Sequence, residues 1–246
     1  MKYLIKLIAF PLSILQLFFF GLTLLLFDLF QRINFNLFGY AAHKKTVDYM
    51  SFFLILTLKF IGGSIKYQSK YKLPKNVPLI IVSNHQGLFD IPPIGWYFRN
   101  YHPKYISKIE LENGIPGISY NLKHGGSVLI NRKDAKQSLL AISNFGKYIE
   151  QNNFAAVIFP EGTRSKDGRL LPFKESGLKM LVKYIPSAYI VPVTINNSSR
   201  IADISKVFKP LGLKITLDIH EPIAVNSMSF DALFHKVEST IKSAVI

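Results

Sequence analysis

The chain has 246 residues, with thirty Lys and Arg against fifteen Asp and Glu, a net charge of +15 at pH 7. Hydrophobic residues make up 49% and charged residues 18%, a balance that excludes a disordered or collagen-like chain. Cysteine is absent, which excludes a disulfide framework, a thiol nucleophile and a Cys-ligated zinc or iron–sulfur centre.

Residues 7–27, LIAFPLSILQLFFFGLTLLLF, carry no charge. As a helix they would span about 31 Å, enough to cross a bilayer core of roughly 30 Å. Lys2 and Lys6 precede the run as they would in a secretory signal, but no small-x-small cleavage site follows it, so a retained anchor is expected. A second apolar stretch, Tyr49 to Ile65, is interrupted by Lys59, a charge costly at mid-bilayer and better snorkelled to an interface. It reads as an interfacial or re-entrant helix. Pro11 and Gly21 each weaken a continuous helix, so the first run is able to dip into one leaflet and form a hairpin with the second. Residues 1–63 are accordingly expected to anchor the chain at a membrane, with 64–246 as the body. Basic residues flank both stretches, so the positive-inside rule gives no orientation.

The basic character is not confined to the anchor. Residues 1–72 hold nine Lys and Arg against two Asp, and the remainder twenty-one against thirteen acidic residues. A basic body tethered to lipid suits anionic headgroups, at about 1 kcal/mol per well-positioned cation. Solvated lysines and nucleic-acid binding are the alternatives. With a long apolar run and no RNA-binding or zinc-finger motif, nucleic acid is not an expected partner.

Beyond the anchor, short apolar runs alternate with longer amphipathic stretches, the pattern of an α/β domain. Strands are expected near 64–68, 78–82, 104–107, 127–131, 155–159, 189–195 and 214–220, and helices near 92–100, 134–151 and 175–185. Between Asp134 and Glu150, Leu139, Leu140, Ile142, Phe145 and Ile149 fall largely on one face, as a sheet-packing helix requires.

Two of these strands run into polar clusters: PLIIV into SNHQGLFD, and AAVIF into PEGTRSKDG. Loops just past the carboxyl ends of buried strands are where open α/β sheets bind ligands. His85 and Asp90 lie five positions apart, about 140° on an ideal helix, and meet only if the chain turns between them. Gly87 permits such a turn, and Pro92 and Pro93 suit a helix starting after Asp90. The carboxylate would then hold one imidazole nitrogen and leave the other as a base. The alternative is that Asp90 is only an N-cap and His85 a loop residue. The second cluster offers Glu161, Gly162, Thr163, Arg164 and Ser165. Arg grips phosphate through two parallel hydrogen bonds, whereas a surface Glu–Arg pair would be worth less than about 1 kcal/mol. Arg132 and Lys174 are basic residues available to extend a cationic pocket.

Asn84-His85, four residues and Asp90, followed some seventy residues later by Phe-Pro-Glu-Gly-Thr-Arg-Ser, resembles the glycerolipid acyltransferase family, in particular its membrane-bound 1-acylglycerol-3-phosphate acyltransferases. The resemblance runs from about Lys66 to Pro222. Gly126 to Arg132 resembles the family's Gly-x-x-x-Ile-Asp-Arg block, Ile190 to Val193 its late Pro-Val block, Lys108 and Glu110 its Lys-x-Glu-Leu segment, and Phe173-Lys174 with Gly177 the segment after the second motif. Asn131 stands where the family commonly has Asp, which leaves the acceptor open.

This resemblance implies a mixed, mostly parallel sheet flanked by helices. It further implies that His85 and Asp90 are catalytic, and that Glu161, Gly162, Thr163, Arg164, Arg132, Lys108 and Lys174 form the substrate-binding set. The expected reaction moves an acyl chain from acyl-CoA or acyl-carrier protein to the sn-2 hydroxyl of lysophosphatidic acid, giving phosphatidic acid. Another lysolipid acceptor, or a non-catalytic basic membrane adaptor, is the rival reading. No metal or cofactor is implied: the six histidines lack HExxH spacing, and His220-Glu221 reads as a strand-edge cap. The expected location is a membrane, the bacterial inner membrane, with the body facing the cytoplasm where the acyl donors are.

Overall fold

A computed structural model describes residues 2–165, 167–202 and 208–246. Helix α1 (Lys2–Leu56) is broken at Gly39, whose φ of 75° and ψ of −166° lie outside the helical region. The two arms fold back on each other: Phe19 stacks on Phe60 and Phe27 packs on Phe53, with centroids 4.6 and 5.6 Å apart. Gln31 meets His43, and Asn34 donates to Thr46.

The expected hairpin is therefore present, with its turn at Gly39, between the two apolar stretches. Pro11 and Gly21 are carried inside the first arm, and the reversal falls on the residue that tolerates positive φ. The stretch from Tyr49 is also not wholly interfacial. It ends as a helix at Leu56, passes through a 3-10 turn (Thr57–Ile61) and enters strand β1 (Ser64–Ser69). Met50, Leu54, Leu58 and Ile61 are buried, and the last two join the core of the body. The outer side of the first arm is different, with Leu7, Phe18, Leu25, Leu29, Leu37 and Phe38 all exposed.

The body is one sheet in the order β1–β7–β6–β2–β5–β3–β4, built from β1, β2 (Leu79–Ser83), β3 (Pro103–Lys108), β4 (Val128–Ile130), β5 (Ala155–Ile158), β6 (Tyr189–Asn196) and β7 (Lys214–Ile219). The pairings are parallel except for β6 with β7 and with the short β8 (Ile223–Ala224). All seven strands expected from sequence are present. Strand β2 is buried on both faces because it lies between β6 and β5. Leu79 and Ile81 face the layer made by α1 and α2 (Ile91–Tyr97). Ile80 and Val82 face α4 (Ala135–Asn152), α5 (Glu175–Tyr184) and α7 (Phe230–Ala244). Helix α3 (Ile118–His124) packs on α1, and α6 (Ser199–Ala202) follows β6.

One feature of the register positions the site. Strand β3 pairs with β5 from Pro103 to Tyr105, then from Ile106 onward with β4. The sheet thus parts between the carboxyl ends of β5 and β3, next to the end of β2. A cavity of about 820 Å³ occupies this opening and extends under the hairpin to Leu24, Met50 and Leu54.

Candidate active site

The chain leaving β2 is pinned before it turns. The Asn84 side chain donates to Ile195 O (2.8 Å) and accepts from Ile195 N (2.7 Å), which ties the end of β2 to β6. A tight turn at Gln86-Gly87 then leads through a 3-10 turn (Leu88–Asp90) into α2, whose first turn holds Pro92 and Pro93. This brings Asp90 back toward His85.

Asp90 is fully buried, and its Oδ2 accepts from His85 Nδ1 (2.7 Å), Gln86 N (2.7 Å) and Gly87 N (2.8 Å). Its Oδ1 accepts from the Ser198 hydroxyl. The carboxylate makes no capping bond to α2, so the N-cap alternative does not describe it. With every surrounding group a donor, Asp90 is acceptor-only, and the proton of a neutral His85 belongs on Nδ1. The ring lies on Phe159, with centroids 4.2 Å apart and planes 22° apart. Its Nε2 makes no hydrogen bond among the described residues, and the residue lines the cavity.

The second loop is buckled to the first. Gly162, at φ 70°, closes a turn with its N–H on Phe159 O (3.0 Å). Glu161 is 3% exposed. Its Oε1 accepts from His85 N (2.6 Å), and its Oε2 accepts from Leu171 N (2.8 Å). Ser165 N donates to His85 O (2.8 Å), so both backbone polar groups of His85 are held by this loop. Burial pushes the Glu161 carboxyl above the usual range, and the two amides partly counter it. Glu161 was expected among the substrate-binding residues. The structure instead spends both its oxygens on backbone amides, with the side chain off the cavity wall. A buried carboxylate that accepts from one amide in each of two segments clamps them together.

The other expected residues converge. Gly162, Thr163, Arg164, Lys174, Arg132 and Lys108 line the same cavity as His85. Thr163, Arg164, Lys174 and Arg132 are exposed at its mouth. A Cβ on Gly162 would sit 3.4 Å from the Lys174 ammonium, so that cation lies over the turn. Asn131 does not enter this group: its Oδ1 accepts from Lys133 N (3.1 Å), and its backbone is held by Gln137 and Ser138. It shapes the turn into α4, a task that needs an acceptor oxygen and no charge. Asn196 and His220 are likewise structural, the first donating to Ala244 O and the second bonded to Thr194.

Sequence reasoning missed Gln86, Phe159 and Ser198. The rule that drew attention to the ends of β2 and β5 applies equally to β6, where YIVPVTI runs into Asn-Asn-Ser-Ser, and would have found Ser198.

Strand ends, paired loops and an imidazole–carboxylate pair facing a cavity rimmed by cations form an arrangement chemically able to accept a proton. The family model described as Acyltransferase matches residues 64–196, and the chain belongs to that family. Among its relatives, 1-acyl-sn-glycerol-3-phosphate acyltransferase beta of Homo sapiens is 28% identical over 189 residues, 75% of this chain and 66% of that protein. The 1-acyl-sn-glycerol-3-phosphate acyltransferase of Helicobacter pylori (strain J99) is 38% identical over 126 residues, 50% of each. The alignments thus span between half and two thirds of these relatives' lengths. The crystal structure of the 1-acyl-sn-glycerophosphate acyltransferase from Thermotoga maritima shares the fold, with a TM-score of 0.78, 24% identity and coverage of 100% of this chain and 96% of that one.

Proposed function

We propose that this protein transfers an acyl group from a thioester, acyl-CoA or acyl-carrier protein, to the sn-2 hydroxyl of lysophosphatidic acid, releasing a thiol and phosphatidic acid. The observation that carries the reading is the Nε2 of His85, unpartnered among the described residues, opposite an Nδ1 held by buried Asp90, on the wall of a cavity rimmed by Arg164, Lys174 and Arg132. The named activities of the relatives support the same chemistry.

In this mechanism the hydroxyl of the acceptor gives its proton to His85 Nε2 as its oxygen attacks the thioester carbonyl carbon. The tetrahedral intermediate collapses with loss of the thiolate, and the imidazolium returns the proton to that sulfur. Asp90 holds the imidazole in its tautomer and stabilises the imidazolium without taking the proton. No acyl-enzyme forms, because the acceptor itself is the nucleophile. Arg164 and its neighbouring cations grip the phosphate, so that binding energy orients the hydroxyl. The acyl chain lies in the cavity beneath the hairpin, against Leu24, Met50 and Leu54.

The exposed apolar face of the first arm keeps the site at a membrane, where acceptor and product reside, and a cytoplasmic orientation would give access to the acyl donors. The purified protein, supplied with oleoyl-CoA or oleoyl-carrier protein and a panel of lysolipids, should form phosphatidic acid fastest from lysophosphatidic acid. A faster rate with another acceptor would reassign the substrate, and no transfer to any acceptor would remove the activity.

A further inference from the structure

We infer that Ser198 is a positioning residue for the His85–Asp90 pair, holding the aspartate through the oxygen that the histidine does not use. The inference rests on the mechanism proposed above and adds a residue that the two sequence motifs do not contain.

Strand β6 lies beside β2, so the ends of the two strands are neighbours. Asn197, in the left-handed region at φ 69°, turns the chain immediately after β6 and brings Ser198 over Asp90. Asn tolerates that conformation better than most residues. Ser198 is fully buried. Its N–H donates to Gln86 Oε1 (3.1 Å), and Gln86 Nε2 donates to Gly168 O (3.1 Å). One glutamine therefore fixes Ser198 to the loop that carries His85 and to the loop that carries Arg164.

The Ser198 hydroxyl has one proton and two acceptors within reach, Asp90 Oδ1 and, at 3.3 Å, Gln86 Oε1. The carboxylate is both nearer and charged, so the proton goes there. This bond matters because, among the described residues, three donors meet Oδ2 and Ser198 alone meets Oδ1. Without it, a buried carboxylate oxygen loses the donor it has among the described residues, and the carboxylate is free to rotate away from His85 Nδ1. Ser198 keeps its proton throughout and is not a nucleophile: it lies off the cavity wall, behind the aspartate.

The test compares Ser198→Ala, Ser198→Thr and Asp90→Asn, and combines the first with the last. Ser198→Ala should lower kcat roughly tenfold, the worth of one hydrogen bond to a charged group, with KM for both substrates within twofold. Ser198→Thr, which restores the hydroxyl, should recover most of the loss. In the Asp90→Asn background, Ser198→Ala should cost less than twofold, because the partner it acts through has lost its charge. Should the alanine variant fail to fold, Ser198→Cys, with a weaker donor, carries the same comparison and an intermediate loss is expected. Wild-type kcat in Ser198→Ala, or an undiminished tenfold cost in the Asp90→Asn background, would overturn the inference while leaving the His85–Asp90 mechanism standing. Wild-type turnover in Asp90→Asn would instead overturn the mechanism, and the role of Ser198 with it.

Discussion

Three histidines line the cavity, His43, His85 and His102, and the last two are built alike. His85 at the mouth and His102 at the inner end each stack on a phenylalanine, Phe159 at 4.2 Å and Phe154 at 4.7 Å, and each has its Nδ1 hydrogen-bonded. Their partners separate them. His85 meets the Asp90 carboxylate, whereas His102 meets the Tyr40 hydroxyl at 3.2 Å, beside Lys44 and Lys104. Burial, followed by those two cations, holds His102 down to about 4, so it is neutral at physiological pH and a poor acceptor of a proton.

The cations at the two ends differ in the same way. At the inner end, Lys104 donates to Tyr40 (2.6 Å) and lies over the rings of Tyr40 and Phe154. Lys44 pairs with Asp48 (2.5 Å) and donates to Arg99 O (2.6 Å). These groups tie the hairpin to the sheet edge. At the mouth, the side chains of Arg164, Arg132 and Lys174 make no hydrogen bond or ion pair among the described residues. Histidines and cations of the same types thus differ between the two ends: Lys44, Lys104 and His102 are engaged by protein groups, whereas the His85 Nε2 and the side chains of Arg164, Arg132 and Lys174 have no hydrogen-bond partner among the described residues.

The comparison predicts its largest effect at His85. His85→Ala should lower turnover by roughly 10² to 10⁴, the usual worth of a general base, with a melting temperature lowered by no more than a few degrees. The loop stays pinned because Glu161 and Ser165 hold the His85 backbone, so the cost to the fold is confined to the lost Asp90 bond and Phe159 stack. Near-normal turnover in that variant would remove the base. Arg164→Ala comes next and should act on the acceptor, raising KM for lysophosphatidic acid roughly tenfold, as for the loss of one charge-assisted contact. A fall in kcat at unchanged KM would contradict a binding role. His102→Asn should leave turnover within about twofold and lower the melting temperature by a few degrees. Asn tolerates the φ of 47° at this position, so the cost is confined to the lost stacking and hydrogen bond. A hundredfold loss of turnover there would mean that the two histidines are not functionally distinct.

The sequence conveyed one end of the cavity and not the other, for a physical reason. The mouth is made of two short contiguous stretches, each following an apolar run that reads as a buried strand, so strand and loop signals reinforce each other. The inner end gathers Tyr40, Lys44, His102 and Lys104 from the hairpin and from β3, and only tertiary packing brings them together. The hairpin was legible but not the residue at which it turns, because Pro11, Gly21 and Gly39 carry the same local signal of a weak helix; packing between the arms decides which breaks. Helix α7 was legible but unread: Ser229 caps it, and Leu233, Phe234, Val237 and Ile241 form its buried face. Which way Glu161 points is not encoded in its motif at all, since a turn of the same sequence serves equally as a clamp or as a ligand.

The smallest expected effect lies at Lys104 and tests whether the inner end is structural. This ammonium is buried, and burial, with Lys44 adding to it, lowers it from 10.5 to about 8. Between pH 8 and 10.5 the folded chain accordingly binds fewer protons at this site than the unfolded chain. Stability rises with pH wherever the unfolded state holds the extra proton, so Lys104 should add an upward component to the wild-type melting temperature across that window. Lys104→Met keeps an unbranched side chain for the Tyr40 and Phe154 rings but has no proton to lose. The wild type should therefore gain a few degrees on the variant between pH 8 and 10.5, while turnover at pH 7 stays within about twofold. Parallel melting curves across that window would mean that Lys104 is solvated, and a large loss of turnover would bring the inner end of the cavity into the chemistry after all.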